Sequence, residues 1–270
     1  MEIDARQLRV LTREGMSEAS RRRIVPIVIV ISLLSLMMMN SCTSCDGQIK
    51  VNADVGAPVD LLGWAGAGIF LVLGLWSVLL AGLLAADHLS AMLEDDSALL
   101  VLSRPVSRET LVLSRLLGSL GVSLGAALVL LGGTTFMLVT RSDLPLGPAL
   151  HAIATVGVSA ITLAALGMAC SLYLVRIATF VVLIACVASI STLNLLALSG
   201  VELSGVYAAI NGVGPPFALA IIGALLPWSG QALPEGAALG LAIRQAAWLV
   251  VSVVALVYAF TQRELKPPPS

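Results

Sequence analysis

Apolar residues run along this chain in long blocks, and the polar and charged ones collect in the gaps between them. Six blocks, at 24–40, 61–86, 110–140, 148–175, 177–199 and 237–261, are each long enough to cross a membrane as a helix. A seventh apolar stretch, 206–228, is interrupted by Gly212, Gly214, Pro215 and Pro216. Its breakers predict a pair of short re-entrant or interfacial helices, with surrounding protein covering the freed backbone groups. A seventh span kinked at Pro215-Pro216 is the alternative.

Charge placement tests the count. With six spans, twelve of the fifteen Lys and Arg residues fall on one side, leaving only Lys50, Arg141 and Arg244 on the other. That asymmetry predicts cytoplasmic termini, and a seventh span would weaken it by sending Arg263 and Lys266 outside. Arg21-Arg22-Arg23 precede the first block and no convincing small-x-small cleavage site follows it, so a retained helix is expected there rather than a signal peptide. In residues 1–23, Arg6, Arg9 and Arg13 share one helical face, with Leu8 and Leu11 roughly opposite and Val10 breaking the stripe. Such a segment suits the headgroup layer, with its arginines against anionic lipid, or else serves only as a basic tail that sets topology. Hydrophobic residues at 58% and charged ones at 11%, against about 25% charged in soluble domains, exclude a soluble fold. A net charge of −1 and the absence of an aromatic-interleaved basic patch give no sign of nucleic-acid binding.

The polar island between the second and third blocks carries the most information. Asp87 and His88 close the second span, and Glu94, Asp95 and Asp96 follow on an acidic turn. Residues 98–102 are apolar, and Arg104-Pro105 ends that short helix because proline disfavours α geometry in the residue before it. Ser107 is placed to cap the third span, with Glu109 near its N-terminus, where negative charge suits the helix dipole. A short helix held between two spans is a lever on both.

Ser103, Arg104, Pro105, Val106, Ser107 and Arg108, followed by Arg115 and Gly118, resemble the turn that joins the second and third spans of ABC-2 type transporter permeases. The 258–265 segment, YAFTQREL, is similar to the aromatic-x-x-Arg-[Asp/Glu]-Leu ending that follows their last span. The common form of the turn has Gly-Thr where this chain has Asp96-Ser97. The resemblance implies an all-α polytopic membrane protein. Residues 1–23 would be its amphipathic "elbow", and 24–265 a six-helix permease domain with a cytoplasmic coupling segment at 87–109 and an external re-entrant segment at 200–236. Residues 266–270 would be a disordered tail.

It further implies an exporter subunit of the bacterial inner membrane, energised by a separate cytoplasmic ATPase and paired with a second permease copy or a homologue. Glu94, Asp95, Asp96, Arg104, Pro105 and Arg108 would form the docking site for the ATPase, with Arg108 at the membrane edge. No Gly-x4-Gly-Lys-[Ser/Thr] run occurs, so ATP and Mg would be held by the partner, with no cofactor on this chain. A membrane scaffold that recruits a soluble partner without transporting is the alternative. An intramembrane enzyme is disfavoured, because no catalytic cluster or metal-ligand set occurs in the spans.

No carboxylate lies deep within a predicted span, which argues against ion-driven transport. Asn194, the main polar side chain at depth, is expected to bond another helix. Cys42 and Cys45 lie just beyond the first span on the non-cytoplasmic side, where a disulfide or free thiols are both open. Cys170 and Cys186 suit packing, and His88 and His151 stand isolated near the membrane edges. Gly121 and Gly125 permit close helix approach, and Trp64 and Trp228 fit interfacial anchors.

Overall fold

The computed structural model describes residues 5–20, 30, 37, 58–94, 107–142, 144–234 and 236–262. The predicted first span lies almost wholly outside these residues, as do Cys42, Cys45, the 95–106 turn and the 263–270 tail. Everything regular among the described residues is helical: α1 (Ala5–Ser20), α2 (Pro58–Glu94), α3 (Arg108–Ser142), α4 (Leu146–Ser171), α5 (Arg176–Leu198), α6 (Gly205–Val213), α7 (Phe217–Leu225), a 3-10 turn (Leu226–Ser229) and α8 (Ala237–Gln262). Of these, α2, α3, α4, α5 and α8 are long and apolar enough to cross a membrane.

Two boundaries differ from the hydropathy pattern. The second helix does not stop at Ala86 but continues through Asp87 and His88 to Glu94. No glycine or proline interrupts residues 87–94, and both Asp87 and His88 are buried against other helices, so nothing ends the helix there. At 37 residues, α2 is roughly 55 Å long, well beyond a hydrocarbon core of about 30 Å. The fourth helix ends at Ser171 rather than Val175, because Leu172 and Leu174 donate back to Ala169 and Cys170 in a tight turn.

Packing depends on small residues where helices cross. A Cβ on Gly82 of α2 would meet Leu163 Cγ of α4 at 2.8 Å, and one on Gly167 of α4 would meet the Gly82 carbonyl oxygen at 2.7 Å. Between helices in lipid such close contact replaces the hydrophobic drive that water would supply. The N-terminal helix is seated in the same way: a Cβ on Gly118 of α3 would lie 2.9 Å from the Gly15 carbonyl carbon of α1. Of the predicted glycine pair, Gly121 faces only the flexible Met16 side chain, and nothing stands near Gly125. The close approach therefore lies at Gly118, one turn earlier.

Helices α6 and α7 are bent by 65° at 214–216. Arg108, at the start of α3, lies against Thr261 near the end of α8, which fixes one end of the bundle. Trp228, just after α7, donates from Nε1 to the Pro145 carbonyl at 2.9 Å, between α3 and α4 and hence at the opposite end. The chain reaches that opposite end along α5 and leaves it along α8. The bent pair thus enters and leaves at one end of the bundle instead of crossing it. All of α6 is exposed or half-buried, whereas α7 is largely enclosed. Trp228 is not an interfacial anchor: it is buried, edge-on to Phe70, with its backbone against Gly63.

Candidate functional site

The junction between α2 and α3 is the region that the sequence marks for function. Glu94 is the last residue of α2, and Arg108 the first of α3. Asp95, Asp96, Arg104 and Pro105 lie outside the described residues. Ser107 caps α3: its Oγ accepts the Thr110 backbone N–H at 3.2 Å and shares a 2.7 Å hydrogen bond with the Thr110 hydroxyl. Glu109 stands in the first turn, facing the positive end of the helix dipole.

Polar contacts tie the two helices that flank the junction to others at the same end. Arg108 Nη1 donates to the Thr261 carbonyl of α8 at 3.3 Å. Asp87, with 1% of its side chain exposed, is ion-paired with Arg176 at the start of α5. The Arg176 guanidinium also sits 6.0 Å from the Phe180 ring centroid. Arg115 of α3 forms an ion pair with Glu18 of α1 at 2.5 Å and lies 3.3 Å from His88 Nε2 of α2. His88 is therefore not isolated; it is enclosed beside a charged pair.

With these polar contacts, an apolar cluster at the same end completes a collar around α2 and α3. Leu89 and Met92 of α2 and Leu111 and Val112 of α3 pack with Met168 of α4, Leu172 and, from α8, Leu256 and Phe260. Nothing in the sequence singled out Glu18, since its partner is 97 positions away. Arg115 was visible as part of the motif, but its counterion was not.

A second polar cluster surrounds the break between α6 and α7. Arg244 of α8 donates from Nη2 to the Asn211 carbonyl at 2.5 Å and from Nε to the Gly214 carbonyl at 2.7 Å. Trp248 Nε1 donates to the Val213 carbonyl at 2.6 Å. These carbonyls end α6 and have no helical partner, so a cation and an indole N–H satisfy them. Asn194 behaves as expected: Nδ2 donates to Asn211 Oδ1 at 2.8 Å, and Oδ1 accepts the Leu219 N–H at 3.4 Å. Deeper in the bundle, Gln245 Nε2 donates to the Thr155 carbonyl at 2.7 Å and to Ser159 Oγ at 2.9 Å, joining α8 to α4. Nothing local marks Gln245 out; it is one polar residue among the first turns of an apolar helix.

No protein-family model matches the chain, and no curated protein matches it.

Proposed function

We propose that this chain is the membrane-embedded subunit of an ATP-driven exporter resembling the ABC-2 permeases, energised by a separate cytoplasmic ATPase that docks on the segment between α2 and α3. The motif residues Ser103 to Arg108, Arg115 and Gly118 support that reading. The observation that carries it is the collar. At this end of the bundle, α1, α4, α5 and α8 all touch α2 or α3 through an ion pair, a hydrogen bond or the shared apolar cluster. A push or pull passed to α2 and α3 is thereby felt by four other elements.

ATP binding would draw two such subunits' docking segments together and tilt the helices fixed to them. The docking free energy must differ between the two membrane states for any work to pass, and by linkage the membrane state must alter the ATPase in return. The termini, the collar and the docking segment would face the cytoplasm, in the inner membrane, with the α6–α7 pair as an external re-entrant segment.

The test is ATP turnover by the P-loop protein that co-purifies with the tagged chain in mild detergent. Arg108→Glu should leave insertion intact while abolishing either co-purification or the chain's effect on turnover. A co-purifying partner whose turnover is indifferent to the chain and to Arg108→Glu would instead identify a scaffold.

A further inference from the structure

Between α1 and α3 lies an open groove of about 420 Å3, lined by Leu8, Arg9, Thr12, Arg13 and Met16 of α1 and Leu117 of α3. Its chemistry is divided. Leu8, Met16 and Leu117 supply an apolar floor, while Arg9 and Arg13 are exposed and have no acidic partner among the described residues. The Thr12 hydroxyl is turned back onto its own helix, donating to the Leu8 carbonyl at 2.7 Å. Of the two acids on α1, Glu18 is engaged by Arg115, and Glu14, beside Arg13 in the chain, is exposed and forms no ion pair with either arginine. Two uncompensated guanidinium groups four residues apart sit about 5–6 Å from one another at Cβ, close enough to grip a single phosphate.

The depth of the groove selects its occupant. Arg115 is the last charge in α3 before a charge-free run from 116 to 140. At 1.5 Å per residue those 25 residues span roughly 37 Å, enough to cover the hydrocarbon core. Leu117 therefore stands in the first turn inside the boundary, and Arg9 and Arg13 line the same groove. A free anion would leave the apolar floor wetted. An acyl chain covers it.

We infer that Arg9, Arg13, Leu8, Met16 and Leu117 form a binding site for one anionic phospholipid, its phosphate held by the two arginines and the start of an acyl chain laid along Leu117 and Met16. A bound lipid would fasten α1 to α3 beside the Gly15–Gly118 contact. Assignment to the cytoplasmic leaflet rests on the orientation proposed above, but the lipid site needs neither a transport cycle nor an ATPase.

The experiment is a titration of the full chain, purified in a neutral detergent, with phosphatidylglycerol and with phosphatidylcholine of identical acyl chains, counting bound lipids by native mass spectrometry. One phosphatidylglycerol should bind at least about tenfold more tightly than phosphatidylcholine, as expected for headgroup charge at two basic residues. Arg9→Gln with Arg13→Gln should weaken it about thirtyfold. Leu117→Trp, which fills the floor and keeps both charges, should weaken it comparably, with the thermal midpoint of each lipid-free variant checking the fold. Equal binding of the two lipids overturns the proposal. So does unaltered binding by Leu117→Trp, which would mean attraction by charge alone, and so does displacement by equimolar inorganic phosphate, which would mean a soluble-anion site. Because detergent removes membrane orientation, failure here leaves the exporter reading standing, and the reverse also holds.

Discussion

Arg244 closes the end of a helix to which it does not belong: its guanidinium donates to the Asn211 carbonyl at 2.5 Å, across a separation of 33 residues. A second bond to Gly214 at 2.7 Å makes the contact two-pronged. In the sequence this arginine counted only as a positive charge on the side away from the cytoplasm. Its role is to satisfy backbone carbonyls freed where α6 stops, which a membrane environment cannot do with water.

Replacing Arg244 with Gln should therefore cost about 2–4 kcal/mol in unfolding free energy, measured by denaturant titration in mixed micelles, since two charge-assisted bonds are lost and carbonyls are orphaned. Arg244→Lys should recover less than half of that, because an ammonium cannot reproduce the fork that spans Asn211 and Gly214. Full recovery by lysine would show that charge alone matters.

Glycine substitutions should separate sharply by position. A Cβ on Gly63 would lie 2.0 Å from the Trp228 carbonyl oxygen, with backbone rather than a movable side-chain tip in the way. Gly63→Ala is expected to destabilise by about 1–3 kcal/mol and to shift the fluorescence of the buried Trp228. Gly125 and Gly132 meet nothing within 4 Å. There, alanine should be neutral or stabilising by up to about 1 kcal/mol, through helix propensity alone.

The Asn194–Asn211 bond joins α5 to α6 at 2.8 Å. A double-mutant cycle with alanine at both positions should give a coupling of roughly 0.6 kcal/mol and no more than about 1.7, the range found between membrane helices. A coupling near zero, with the α6–α7 segment unaltered in hydrogen exchange, would mean that Arg244 and Trp248 hold the break unaided.

What could be seen in the sequence was what depends on neighbours along the chain. The apolar blocks gave five described spans to within a few residues, apart from the eight-residue extension of α2 to Glu94; Ser107 gave the α3 cap, and Pro215-Pro216 gave the break. Asn194 was legible because an amide in an apolar helix needs a partner somewhere. Contacts chosen by tertiary packing were not. Nothing local distinguishes Gly118 from Gly125, yet only the first meets another backbone. Glu18 and Arg115 meet only once α1 lies on α3, and Gln245 finds α4 only once α8 is docked. Trp228 shows the limit most plainly, since a tryptophan at the end of an apolar run suits the interface and the core equally well until Gly63 makes room for it.

The Asp87–Arg176 pair should respond asymmetrically to mutation. Asp87 has 1% of its side chain exposed and Arg176 has 44%. Removing the arginine leaves a carboxylate enclosed without that partner, whereas removing the carboxylate frees a guanidinium that can still reach solvent and the Phe180 face. Arg176→Gln is therefore expected to cost about 3–5 kcal/mol, and Asp87→Asn distinctly less. Unfolding titrations of the two single variants and the double variant check this. The double variant should be more stable than Arg176→Gln alone, because it no longer buries a carboxylate that has lost Arg176.

The N-terminal helix gives the last prediction. Its seat on α3 includes a glycine contact at Gly118 and one ion pair, Glu18–Arg115, in which the Glu18 side chain is 43% exposed. An ion pair that open to solvent contributes only about 1 kcal/mol, whereas overpacking the glycine contact costs about 1–3 kcal/mol. Glu18→Gln should therefore raise hydrogen exchange modestly in residues 5–20, and Gly118→Ala should raise it several-fold. Exchange in α4, which does not meet α1 through either contact, should be unaltered by both. Should Gly118→Ala instead loosen α4 and α1 together, the N-terminal helix would be an integral layer of the bundle rather than a separately seated arm, and a lipid in the neighbouring groove could not regulate it alone.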